Sequence, residues 1–181
     1  TNLETWYTNN LKTYESVIDD TVWCNDKTNV DKTYNPWNWS NVNGLGYGTN
    51  TTFYGAIQRL VGTSGSAGGT GPSLKCNGEL SKINSKVGLI TADELAFAGY
   101  AYAQNNTTTY LQENATDTYW FSLSPVGFIN GGAGVWFVRG SYGFFGNDGV
   151  RNAYGVRPSI SLKSTTNVTG NGTSDNPYII N

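Results

Sequence analysis

The feature that most restricts this chain is the punctuation of its C-terminal half. Its apolar runs are short, and they are separated by Asn130-Gly131-Gly132, Gly140-Ser141-Tyr142-Gly143 and Gly146-Asn147-Asp148-Gly149. Asn-Gly and Asp-Gly steps favour hairpin turns because those turns need positive φ. The pattern predicts short strands over 119–123, 134–138, 144–145 and 155–162, folded into a compact antiparallel sheet. Alternation places Trp136 and Val138 on one face of that sheet and Val135, Phe137 and Arg139 on the other, so both faces are expected to be partly covered. With 23 glycines spread along the chain, a helical bundle is excluded. A length of 181 residues predicts one domain with one core.

The N-terminal half is more mixed. Leu3, Trp6, Tyr7, Leu11 and Tyr14 recur at spacings of three and four, which predicts an amphipathic helix over 3–15 with Asn2 as its cap. A turn and short strand follow over 18–24, with Val17, Ile18, Val22 and Trp23 as burial candidates. Tyr34-Asn35-Pro36-Trp37-Asn38-Trp39 reads as a structured loop. Phe53, Ile57, Leu60 and Val61 fit one side of a short helix opened by Thr51 or Thr52. The glycine-rich stretch 62–72 reads as a mobile surface loop, and its glycines lack the Gly-Lys-Ser/Thr ending of a phosphate-binding loop. Val87-Gly88-Leu89-Ile90 is a predicted strand. Thr91 and Glu94 form a capping box for a short helix that carries Leu95, Phe97 and Ala98 and stops at Gly99.

Composition narrows function. The chain has no histidine and a net charge of −2, so it lacks the commonest catalytic base, the usual zinc imidazole and the basic surplus of a nucleic-acid binder. Arg139, Arg151 and Arg157 are too few for a groove that tracks a phosphate backbone; Arg157, in Val-Arg-Pro, is expected to be a structural hydrogen-bonding residue. Ser122 and Ser124 have no histidine to activate them. Asp93 and Glu94 point about 100° apart on a helix and read as first-turn electrostatics, not as an acid–base pair. No enzymatic activity, cofactor or metal site is expected.

Charged residues make up 13% of the chain, well below the roughly 25% of an ordinary soluble domain, so Asn, Thr, Ser and Gly must supply most of the surface polarity. That composition suggests an extracellular or cell-surface protein. The start at Thr1 and the lack of any apolar run of membrane length suggest a mature secreted form or part of something longer. Cys24 and Cys76, an even pair in an extracellular-type composition, are expected to form a disulfide, the alternative being two buried thiols; pairing would close a loop of about fifty residues, worth on the order of 4 kcal/mol by chain entropy. Asn-x-Ser/Thr triplets occur at Asn38, Asn50, Asn105, Asn106, Asn114, Asn167 and Asn171 and mark surface loops.

Five segments together resemble a known domain: Trp23-Cys24-Asn25-Asp26, Val87 to Glu94, Tyr119-Trp120-Phe121-Ser122-Leu123-Ser124-Pro125, Gly155-Val156-Arg157-Pro158, and Gly172-Thr173-Ser174-Asp175-Asn176-Pro177-Tyr178. The chain resembles C-type-lectin-like domains found at the C-terminal end of secreted and surface proteins of Bacillota, distantly similar to the formylglycine-generating sulfatase-modifying fold. The resemblance implies an α+β fold, with two short helices packed on small antiparallel sheets with long loops, spanning residues 1–181. It does not carry over the late reactive cysteines of the sulfatase-modifying enzymes. Nor does it carry over calcium-dependent sugar binding, whose Glu-Pro-Asn or Gln-Pro-Asp and Trp-Asn-Asp motifs are absent; Asn147-Asp148 is a poor calcium cage by itself.

The region 128–154 mixes Phe128, Trp136, Phe137, Tyr142, Phe144, Phe145 and Tyr154 with Asn, Ser, Gly, Asp and Arg, which suits recognition. Trp136 is expected in the core, and Tyr142, Asn147, Asn152 and Tyr154 are expected to be displayed as a ligand-binding set for a protein or glycan. The competing expectation is a structural subunit of a pilus or other extracellular polymer, assembling through Trp6, Tyr7 and Tyr14.

Overall fold

The structure is a computed structural model, and it describes residues 2–30, 33–39, 51–76, 83–113, 118–129, 131–173 and 175–181. Thr1, the sequons at Asn50 and Asn114, the turn residue Asn130 and Ser174 lie outside the described residues. In chain order the elements are α1 (Asn2–Asn10), β1 (Thr21–Trp23), β2 (Thr52–Phe53), α2 (Ala56–Leu60), β3 (Ile83–Ser85), β4 (Gly88–Leu89), α3 (Ala92–Phe97), α4 (Tyr110–Glu113), β5 (Tyr119–Ile129), β6 (Gly132–Arg139), β7 (Phe144–Gly149), β8 (Gly155–Val156), β9 (Pro158–Ser159), β10 (Val168–Thr169) and β11 (Ile179–Ile180). The chain is thus mixed helix and sheet, with few and short helices. Among the described residues no helix is long and apolar enough to cross a membrane. Two compact units divide the chain: residues 1–23, 82–88 and 158–181 form one, and residues 24–81 and 89–157 form the other.

In the first unit the expected helix over 3–15 is shorter. It ends at Asn10, and a separate 3-10 turn covers Lys12–Tyr14. Thr8 Oγ1 and Asn10 Nδ2 donate to the carbonyls of Glu4 and Trp6 four residues back, a competition that weakens helix interiors. Asn2 is the first helical residue and not a flanking cap. Tyr7 packs with Ile18 and Val87 in a small apolar cluster, whereas Trp6 and Tyr14 are 39% and 59% exposed. β1 pairs antiparallel with β3, and Trp23 Nε1 donates to the Ser85 carbonyl at 2.7 Å. Val22, a burial candidate, faces solvent because it alternates with Trp23. The expected strand over 155–162 is broken into β8, β9 and an isolated bridge from Leu162 to Ile18.

The second unit is built on a curled five-stranded sheet with the path β2-β5-β6-β7, in which β8 adds to β5 in parallel. β5 is eleven residues long, more than twice its predicted length. It tolerates Pro125 because the register with β6 slips there, on both sides of that residue, and such a bulge also bends the strand. Gly127 is required where β2 crosses: a Cβ at that position would collide with the Thr52 carbonyl. Phe53 therefore belongs to a strand and not to the following helix, and Gly55, in place of Thr51 or Thr52, precedes α2. The core lies on one face of the sheet, where Trp136, Phe145, Val126 and Val138 are fully buried against Phe53, Ile57, Val61 and Leu95.

α3 starts with the predicted capping box: the Glu94 N–H donates to Thr91 Oγ1, and the Thr91 N–H donates to Glu94 Oε2. The 62–72 stretch turns back along α2, with Gly68, Thr70 and Gly71 donating their N–H groups to the carbonyls of Leu60, Gln58 and Arg59. In the loop over 33–39, the rings of Trp37 and Trp39 stack at 4.7 Å while the Asn35 amide holds both ends of Trp39.

Cys24 and Cys76 form a disulfide across a separation of 52 residues. It braces two segments that also meet at a buried ion cluster. Arg59 donates to both oxygens of Asp93, each at 2.7 Å, and to Asp26 Oδ2 at 2.9 Å, and the Ser73 N–H donates to Asp93. The carboxylates are only 4% and 5% exposed. Burial pushes the Asp26 carboxyl up, but the bonds from Thr28 and the charge of Arg59 outweigh it and hold it below its ordinary value. Its contribution to stability is therefore present above the unfolded pKa, about 3.9, and is lost as pH falls through the lower folded value. Cys24 and Cys76 replaced together by Ser should cost about 2–5 kcal/mol at neutral pH, and Asp26→Asn about 2–3 kcal/mol. Because both act on the 24–28 and 73–76 segments, the combined variant should lose less than the sum by more than about 0.5 kcal/mol. Urea denaturation of the four proteins checks this, and strict additivity would show that bridge and ion cluster act independently.

Candidate functional site

Directly opposed residues of neighbouring strands share a face. Register thus sets Tyr119 opposite Arg139, Phe121 opposite Phe137, Arg139 opposite Phe144, and Val135 opposite Asp148. These side chains form the sheet's outer face, away from Trp120, Trp136, Val138 and Phe145. The segment after β7 completes it. β7 ends beside Gly134, and β8 begins beside Trp120 on the far side of β5, so 150–154 must run back across the outer face. It lays the Tyr154 ring against Phe121 at 4.8 Å, Tyr119 at 4.9 Å and Phe137 at 5.7 Å.

Two charged groups lie at the ends of this ring cluster. The Arg139 guanidinium sits over the rings of Tyr119 at 5.0 Å and Tyr142 at 4.7 Å. Toward the other end, Asp148 accepts the Tyr154 hydroxyl at 2.6 Å and the Gly149 N–H at 2.7 Å. Tyr142, Arg139, Tyr119, Tyr154 and Asp148 make one continuous row. Arg139 and Val135, the partner of Asp148, are four residues apart on β6, so the row spans about 14 Å at 3.4 Å per residue. Beyond Asp148 a cavity of about 590 Å³ opens, lined by Ile129, Ala133, Val150, Arg151 and several glycines.

Three of the four expected ligand-binding residues therefore belong together. Tyr142 and Tyr154 stand in the row, and Asn152 lies in the strip that carries Tyr154, its N–H donating to the Gly149 carbonyl. Asn147 does not join them: it is paired with Trp136, and its amide reaches Tyr102 Oη at 3.4 Å on the opposite face. Sequence reasoning missed Tyr119 and Phe121, and it counted Arg139 and Asp148 only within the polar mixture of 128–154, without naming either as a ligand-binding residue. The period-2 alternation of Tyr119-Trp120-Phe121 carried part of the signal, but the register that sets these residues beside Tyr154 is tertiary. Arg157 behaves as expected of a structural residue, donating to the Leu111 carbonyl and lying over the Trp120 ring at 4.8 Å. Ser122 and Ser124 are buried, and Ser124 Oγ accepts the Ala92 N–H.

The hydrogen bond to Asp148, helped by burial and by the nearby charge, raises the Tyr154 phenol to about 12. The neutral phenol is the donor, so this link is fully present below the unfolded tyrosine value of about 10 and disappears as pH rises through the folded one. In an ultraviolet titration Asp148→Asn should bring one phenol's midpoint down toward about 10, and Tyr154→Phe should remove that same transition. Burial also pushes the Tyr34, Tyr100 and Tyr102 phenols up, so the difference between wild type and variant is what is read; a high-pH region of the curve unchanged by Asp148→Asn would show that the Asp148–Tyr154 link is not what holds the proton.

Compared with known proteins, the chain matches no family, no curated protein and no solved structure.

Proposed function

We propose that this chain is a non-catalytic extracellular recognition module of the C-type-lectin-like kind, binding a protein or glycan at a cell or phage surface through the outer face of its sheet. The observation that carries the reading is the row from Tyr142 to Asp148. It offers flat apolar area, a guanidinium and a carboxylate on a rigid sheet, the combination found at recognition surfaces. Apart from buried Phe137, the rings of this face are partly exposed, and they adjoin one another where scattered surface hydrophobics would stand singly; contiguous apolar patches mark interaction sites. The disulfide supports an oxidising exterior. The burial of Ser122 and Ser124 supports a structural role for the two hydroxyls. The fold is read as C-type-lectin-like on the sequence resemblance together with the curled, mostly antiparallel sheet and few short helices.

Screening against glycan and host-protein arrays tests this reading. A ligand of the wild-type domain should bind a Tyr142→Ala, Tyr154→Ala variant at least tenfold more weakly, about 1–2 kcal/mol for each ring. Asn147→Ala, on the opposite face, should change affinity less than twofold. Equal binding by wild type and the double variant would remove the outer face from consideration.

A second reading, a polymer subunit, is favoured by one observation: Trp6 and Tyr14 project from their unit while Tyr7 is spent on its own cluster. On that reading Trp6→Ser and Tyr14→Ser together should abolish concentration-dependent association in sedimentation velocity. A wild-type chain that stays monomeric at the highest attainable concentration would end it.

A further inference from the structure

The three described arginines of the second unit with assigned contacts use their donors differently. Arg59 spends its guanidinium on Asp26 and Asp93, and Arg157 donates to the Leu111 carbonyl. Arg139 does neither. Its guanidinium is flanked by the rings of Tyr119 and Tyr142, and among the described residues no carboxylate is in salt-bridge contact with it. Its backbone is fixed by pairing with Tyr119 and Phe144 and by the bond from the Gly143 N–H to its carbonyl, 2.9 Å long. The side chain is only partly covered. Aromatic rings engage the weakly hydrated faces of a guanidinium, and its N–H donors lie in the plane between those faces. A flanked arginine with unspent edge donors is pre-organised to accept a planar anion with little further loss of side-chain entropy.

We infer that Arg139, held by Tyr119 and Tyr142, is a carboxylate-binding position on the outer face. The inference rests on the recognition reading above and names the chemistry that its ligand must bring. A carboxylate is favoured over a phosphate or sulfate by the charge count. One fork donates two parallel hydrogen bonds to one carboxylate, whereas the other described cation near this face, Arg151, belongs to the cavity at the Asp148 end, about 14 Å along the row. Polarity along the row adds to the match. A ligand with an acid at Arg139 and hydroxyl or amide donors about 14 Å away would meet a cation at one end and the Asp148 carboxylate at the other. An acidic side chain in an extended peptide and a sugar acid in a glycan both satisfy that chemistry.

The test is an NMR titration of the folded, isotopically labelled chain, following the arginine Nε–H signals. The probes are sodium acetate, N-acetyl-glutamate amide, glucuronic acid and inorganic phosphate, at constant ionic strength. Acetate should move the Arg139 signal along a saturable curve and leave exposed Arg151 on a shallow, linear one. N-acetyl-glutamate amide binding more tightly than acetate would identify the source as a protein acid, and glucuronic acid binding more tightly would identify a sugar acid. Arg139→Lys keeps the charge and loses the fork, and should weaken acetate at least fivefold, read from the Tyr119 and Tyr142 ring signals. Tyr142→Leu should weaken it about threefold with the amide spectrum otherwise unchanged. Linear, unsaturated shifts of equal size at Arg139 and Arg151, or phosphate binding tighter than every carboxylate, would overturn the inference. The two readings fail separately. If Tyr142→Ala, Tyr154→Ala abolishes binding of an array ligand while Arg139→Gln does not, the face stands and the carboxylate position falls. If acetate saturates at Arg139 but no array ligand depends on the face, the reverse holds.

Discussion

The second unit depends on one buried cation. Arg59 leaves α2 and gathers Asp26 from the segment after Cys24 and Asp93 from the first turn of α3, and through Asp93 it fixes the backbone at Ser73 just before Cys76. Desolvation alone would disfavour its charge, but the two carboxylates outweigh that effect and hold the guanidinium more firmly charged than in water. A triad of this kind contributes little net stability against a well-packed apolar substitute, yet removing Arg59 leaves two buried carboxylates without their cation, at about 3–5 kcal/mol. Its role is to specify arrangement: α2, α3 and the two disulfide-linked segments have one placement that satisfies all three charges. Gly55 belongs to the same constraint, because a Cβ there would intrude on the Asp26 carboxylate and on Arg59.

With that side closed, the sheet's two faces can take different chemistries. The inner face contributes Trp136, Phe145, Val126 and Val138 to the core. The outer face is crossed by the strip 150–154, whose Tyr154 ring packs on the rings of the sheet itself. Rings that bury one another laterally, such as Tyr154 on Phe121, Tyr119 and Phe137, lower the exposed apolar area without a covering layer, and each aromatic pair adds about 0.5–1.5 kcal/mol beyond burial. A face of this kind is stable in the free chain and still offers flat area to a partner.

Sequence reasoning reached what local chemistry decides. The capping box of Thr91 and Glu94, the stop at Gly99 and the burial of Trp136 follow from residue type and spacing alone, and the Cys24–Cys76 bridge from compartment and parity. Reasoning failed where partners distant in sequence override local preference. Gly146-Asn147-Asp148-Gly149 has the composition of a turn, but pairing with Gly134 to Phe137 carries β7 through it as strand. Asp93 does sit in the first turn of α3 as expected, but its ion pair went unseen because Arg59 lies 34 residues away in sequence. The site was half legible for the same reason. Residue chemistry singled out Tyr142 and Tyr154, and only strand register could reveal Tyr119 and Arg139 beside them or send Asn147 to the opposite face.

The placement of Tyr154 shows why the row is rigid at both of its ends. A five-residue strip crossing a sheet would ordinarily be among the least stable parts of a domain, since few of its backbone groups can pair. Here the Val150 N–H donates to the Ala133 carbonyl and the Asn152 N–H to the Gly149 carbonyl, and the Tyr154 hydroxyl closes on Asp148. Tyr142 is confined at the other end by the tight turn that Gly143 makes in the left-handed region, where a side chain would run into the Asn106 carbonyl. The rings and the guanidinium between them are thus ordered before any partner arrives. Ordering each such side chain on binding would otherwise consume about 0.5–1.5 kcal/mol. On the recognition reading, affinity would then be lost as readily by loosening these anchors, through Gly143→Ala or Asp148→Asn, as by deleting a ring that touches the ligand.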